Sequence, residues 1–109
     1  MSEYSPNRWV VLEFVTPVGE LIGRKLFGGW YGSYTAGDSW KLNSGITAVR
    51  IANDIYEFDG TSGSTYRCHR SGYGMSMSQK DILAIWRRKA AEHGEYEIQE
   101  VDLDDIVVY

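Results

Sequence analysis

Arg8-Trp9-Val10-Val11-Leu12-Glu13-Phe14-Val15 changes face at every residue yet is apolar at six of its eight positions. Successive side chains of a strand point to opposite sides. Val10, Leu12 and Phe14 therefore line one face and Trp9, Val11 and Val15 the other, interrupted by Glu13. Apolar residues on both faces place this strand inside a sheet. Thr16-Pro17-Val18-Gly19 follows as a β-turn, with proline presetting the second position and glycine suiting the fourth. Residues 20–27 then return as the partner strand of a hairpin.

Beyond the hairpin the regular periods break. Residues 28–39 hold four glycines, at 28, 29, 32 and 37, and the expectation is a long loop with an aromatic tip. Trp40-Lys41-Leu42 resumes a short strand, and Asn43-Ser44-Gly45 turns it. Ile46–Ala52 alternates, Asn53-Asp54 suits a tight hairpin turn because both residues tolerate positive φ, and residues 55–59 return. Gly60-Thr61-Ser62-Gly63-Ser64 is a turn before a short strand at Thr65–His69. Residues 79–93 carry the one clear helical pattern, with Ser78 as cap, Asp81 three residues on, and Gly94 as the left-handed stop. At about 100° per residue, Ile82, Ile85, Trp86 and Ala90 share one face and are expected to be buried, with Lys89 falling awkwardly among them. A last strand at residues 96–101 precedes an apolar ending. The fold class expected is α+β: a curled, mainly antiparallel sheet of five to seven strands packed on one helix.

The 109 residues fit a single domain, and 43% hydrophobic content excludes a disordered chain. One cysteine permits no internal disulfide and favours a reducing compartment. The first residues have no basic flank followed by an apolar run, and no stretch reaches membrane-helix length, so a cytoplasmic protein is expected. The net charge of −4 argues mildly against general nucleic-acid binding, but it is unevenly spread. Residues 61–94 sum to +4, whereas residues 95–109 hold six acidic and no basic residues. The acidic segment can fold over the basic one, or each can face its own partner.

Few residues invite chemistry. Cys68 and His69 are neighbours, but on a strand they point to opposite faces, so they cannot form a nucleophile–base dyad. His93, on the helix, is the other candidate base. Cys68 is expected to pack as a small buried hydrophobe. One Cys and two His leave too few soft ligands for a structural zinc site, and the glycine pairs lack phosphate-loop spacing, so neither metal nor cofactor is implied. Two regions remain. Trp30, Tyr31, Tyr34 and Trp40, on residues 28–40, have the chemistry of protein-interface anchors. Tyr66, Arg67, Arg70 and Tyr73, with Arg87 and Arg88 further on, interleave basic and aromatic residues in a way that suits single-stranded nucleic acid. The first expectation is a non-enzymatic protein of the inhibitor or immunity type that works by protein–protein contact. The alternatives are single-stranded nucleic-acid or nucleotide binding through the basic patch, and a small Cys/His enzyme.

Overall fold

The computed structural model describes residues 3–32 and 37–108. Along the chain run β1 (Glu3–Tyr4), β2 (Arg8–Val15), β3 (Leu21–Trp30), β4 (Ser39–Leu42), β5 (Ile46–Ala52), β6 (Ile55–Gly60), β7 (Thr65–His69), α1 (Met77–His93) and β8 (Glu97–Glu100). The class is α+β, as expected, with mainly antiparallel strands and one long helix in the C-terminal half. The strands divide between two four-stranded sheets instead of lying in one. A central sheet has the order β4-β3-β2-β8, and an outer sheet the order β1-β7-β6-β5. Short β1 pairs with β7 in parallel; no period in two residues could have announced it.

The two faces of β2 explain the division. Trp9 and Val11 join Leu26, Val49, Tyr56, Phe58, Tyr66 and Cys68 in a core between the sheets. Val10 and Leu12 join Phe27, Ile98 and Leu83 in a second core, between the central sheet and the helix. The chain is thus layered as outer sheet, central sheet, helix. Glu13 is accommodated because Arg24 lies directly opposite it on β3 and donates to it at 3.1 Å. The Thr16–Gly19 turn closes with Gly19 N donating to Thr16 O at 2.9 Å, and Gly19 takes φ of 87°. Asn53 takes φ of 55° in the tight turn between β5 and β6.

The glycines at 28 and 29 are strand residues, which corrects the expected loop. Glycine inside a strand often marks a close approach of another group. At Gly29 a Cβ would lie 2.5 Å from Cδ of Gln79, whose side chain crosses the strand there. The strand therefore runs on to Trp30, and the connection to β4 is correspondingly shorter.

Gln79 also sets the helix. The N-cap is Ser76, not Ser78: Ser76 Oγ accepts from Gln79 N at 3.3 Å, and Gln79 Oε1 accepts from Ser76 N at 2.9 Å. The other end of the same amide, Nε2, donates to Phe27 O at 3.2 Å, and the side chain is fully buried. With the helix pinned at Gln79, the residues one and three turns on, Leu83 and Ala90, point inward and are buried. Trp86 and Ile82 are half-buried, and Ile85 is 42% exposed. The face expected to be buried is therefore turned by about 60° from the one that is. The helix ends as expected at Gly94, with φ of 67° and its N–H on Ala90 O.

The far side of the outer sheet is a charged ladder. Arg67 lies opposite Glu57 and Glu57 opposite Arg50 across β7, β6 and β5. Arg67 Nε is 3.2 Å from Glu57 and 4.0 Å from Glu3. Arg50 donates two hydrogen bonds to Asp59, at 2.7 and 2.9 Å, and Thr65 Oγ1 adds a third at 3.0 Å.

Two measurements test this arrangement. Leu83→Ala should cost about 2–5 kcal/mol in urea denaturation, as buried truncations do, whereas Ile85→Ala, measured at dilutions where no self-association contributes, should stay within roughly 0.5 kcal/mol. Equal losses would show Ile85 in the core. The hydrogen bonds from Arg50 hold the Asp59 carboxyl at about 2, below its ordinary 3.8. A depressed carboxyl pKa gives stability that is full above about pH 4 and is lost as pH falls toward 2. Asp59→Asn should flatten the stability curve over that window; an unchanged slope would remove Asp59 as its source.

Candidate functional site

Three rings from three elements meet on the helix side of the central sheet. Trp40 of β4 packs edge-on against Phe27 of β3 with centroids 5.9 Å apart, and against Trp86 of α1 at 5.2 Å. Phe27 and Trp86 are 5.0 Å apart. Phe27 is fully buried and Trp86 half-buried, whereas Trp40 is 43% exposed. The cluster thus begins in the core and ends at the surface. The register explains it: Trp40 sits opposite Gly29, and Leu42 opposite Phe27. On the helix, Ile82 and Ile85 lie on the flank turned toward β4, beside Trp86. The result is a surface of Trp40, Ile82, Ile85 and Trp86 along the seam between β4 and α1. Ser78 Oγ donates to Asp38 Oδ2 at 3.4 Å and ties the approach to β4 to the first turn of the helix.

Of the three aromatic anchors among the described residues, Trp30, Tyr31 and Trp40, the structure brings Trp40 to this seam. Trp30 lies on the other face of β3: it is half-buried against the inter-sheet core, 6.2 Å edge-on from Tyr4, with Nε1 donating to Ser5 O at 3.1 Å. Tyr31 is 58% exposed, and its N–H donates to Asn7 Oδ1 at 3.0 Å. Tyr34 lies outside the described residues. The helix ring that Trp40 packs on, Trp86, and Ile85 next to it on the helix carried a signal in the sequence. They stood out as apolar helix positions, but were assigned to the core.

The basic and aromatic residues of the second region are dispersed. Tyr66 is buried and stacks on Tyr4 at 5.1 Å, so its ring offers no platform to a base. Tyr73 packs edge-on against Trp9 at 4.9 Å and donates its hydroxyl proton to Val101 O. Burial pushes both phenols up to about 12. Arg67 belongs to the ladder on the outer sheet, and Arg70 donates to Tyr56 Oη at 3.0 Å with Asp104 3.8 Å away. Arg87 and Arg88 are on the helix, with both sheets' layers between them and Arg67. Arg87 bridges α1 to β8, Nε donating to Ile98 O at 3.2 Å, with Glu100 3.6 Å away. It forms part of the walls of two open grooves of about 510 and 480 Å³ along that seam. The acidic segment thus meets the basic one at two points, Arg70–Asp104 and Arg87–Glu100, among the described residues.

Cys68 is fully buried in the inter-sheet core, and burial pushes its thiol pKa up, so the thiolate is suppressed at neutral pH. His69 is on the exposed face of β7, its Nδ1 accepting from Ser71 N at 3.1 Å as the cap of a 3₁₀ turn. His93 is across the central sheet, on the helix. The three residues of the Cys/His reading are therefore not brought together. Among the described residues, no three of His, Cys, Asp and Glu converge on a metal position. No helix of the described residues is long and apolar enough to cross a membrane. No protein-family model matches the chain, and neither a characterised protein nor a solved structure is significantly similar to it.

Native Cys68 should react with a soluble aromatic disulfide only at the rate of unfolding or local opening, and stoichiometrically in denaturant. Rapid labelling of the folded protein would place the thiol at the surface and restore it as a candidate nucleophile.

Proposed function

We propose that this protein acts by protein–protein contact, without chemistry of its own, through the seam between β4 and α1. The observation that carries the reading is an apolar helix arc wider than the sheet beneath it. Leu83 and Ala90 satisfy the sheet, yet the apolar surface continues past them through Trp86 and Ile82 to Ile85, 42% exposed, and across to Trp40, 43% exposed. Removing such area from water is favourable by roughly 25 cal/mol per Å². Trp40 is also an ordered ring, held by Phe27 and Trp86 before any partner arrives. An anchor fixed in advance loses little side-chain entropy on binding, which is how a few aromatic residues come to dominate interfaces. A small accessory protein of the inhibitor or immunity type needs no more than one such surface.

A photo-crosslinking residue placed at Ile85 should give protein adducts in an extract of the native cell, insensitive to nuclease. The same residue at Ala52, at the end of β5, should give few. Trp40→Ala should weaken the captured interaction by about 2 kcal/mol or more, roughly thirtyfold. Equal yields from both positions, or adducts destroyed by nuclease, would overturn the proposal.

A further inference from the structure

We infer that the chain seated on this seam is a second copy of the same protein, in a two-fold dimer centred on Ile85; the inference rests on the binding reading above. Asp81, Ile85 and Lys89 follow one another at intervals of four residues and form a single ridge of α1. All three are exposed. No salt bridge or hydrogen bond among the described residues engages the side chain of Asp81 or Lys89. The ridge therefore reads negative, apolar, positive, with both charges available.

That order is self-complementary. When two helices cross through their four-residue ridges, at about −50°, the ridges run side by side. If a two-fold axis passes beside Ile85, the ridges run antiparallel. Each Asp81 then faces the other copy's Lys89, and Ile85 faces Ile85. By the same counting, Arg88 faces Ile82 of the other copy and Glu92 faces Ser78, so no two like-charged helix residues are set opposite each other, and Asp38, which accepts from Ser78, is a carboxylate on the side of Glu92. A partner of one uniform charge would gain at one end of the ridge and be repelled at the other. An isologous contact uses each residue twice, so the exposed Trp40 and the flank of Trp86 contribute from both sides of the axis. The lysine that breaks the apolar pattern of the helix is, in this arrangement, the group that sets orientation.

The test is the solution mass of the whole chain by light scattering and sedimentation over a wide concentration range. Wild type is expected to be a dimer. Asp81→Lys and Lys89→Asp should each weaken it about tenfold or more, because each sets like charges together twice. The double exchange Asp81→Lys/Lys89→Asp should restore it. All the substitutions lie on the exposed helix surface, and unchanged far-ultraviolet circular dichroism will verify that the helix persists. A dimer that the double exchange fails to restore would overturn the ridge pairing. A monomer at every concentration would overturn the second copy as occupant. In that case the crosslinker at Ile85 separates the two levels: an adduct with a different protein keeps the binding reading, and no protein adduct at all removes it too.

Discussion

Everything in this fold depends on β2 being apolar on both faces. Trp9 and Val11 face one core while Val10 and Leu12 face the other, so a single eight-residue strand holds three layers together. Neither face can be left to water. One is covered by the outer sheet and the other by the helix, and charges are pushed to the outermost surfaces or, at Glu13, paired across the strand. Trp9 is the centre of the inter-sheet core. Its ring is 5.3 Å from Tyr56, 5.4 Å from Phe58 and 4.9 Å from Tyr73, and its Nε1 donates to His69 O at 2.8 Å. Each such ring pair contributes about 0.5–1.5 kcal/mol beyond the area it buries. The nitrogen is satisfied, so full burial carries no penalty.

The helix is positioned by a polar residue, and this has a consequence at the surface. Gln79 closes the capping box and donates to Phe27 O, and its side chain fits only because position 29 has none. This fixes which helix residues face the sheet before any apolar contact is optimised. Leu83 and Ala90 are placed well. Ile85 is not, and it remains beside Trp40 as surplus apolar surface. The proposed binding surface is thus a by-product of where the helix is pinned.

Much of the fold was legible from the residues. The central strand, the hairpin beside it, the β5–β6 turn, the alternation that buries Cys68 and exposes His69, and the glycine stop of the helix all follow from local rules. What escaped has a common cause. Gly28 and Gly29 resemble a loop because glycine disfavours strands; the reason for Gly29 is Gln79, fifty residues away, while a Cβ at Gly28 would crowd Pro6. A buried glutamine breaks the apolar pattern from which a helix face is read, so the phase came out turned toward Ile82 and Ile85. The same limit governs the site. Trp40 could be singled out as an aromatic, but its neighbours could be named only once the helix was placed. Tyr66 and Tyr73 looked like stacking platforms since composition says nothing about burial.

The two edges of the central sheet are unlike each other, and the difference bears on where association occurs. An open edge is a template for another chain unless it is short, charged or covered. The β8 edge has all three features. It is four residues long, it carries Glu97 and Glu100, and Arg87 reaches over from the helix to occupy Ile98 O. The acidic residues that follow extend the protection. They are not held by the Arg70–Asp104 ion pair, which is exposed and long, at 3.8 Å, and worth little. Val101, Leu103 and Ile106 hold the segment by packing on the inter-sheet core, which leaves its carboxylates facing outward. The β4 edge is just as short but carries Trp40, exposed and rigidly backed, beside an uncovered helix flank. Association at β8 has to desolvate carboxylates, whereas association at β4 removes rings and an isoleucine from water. The sheet therefore discourages contact along one edge and favours it along the other.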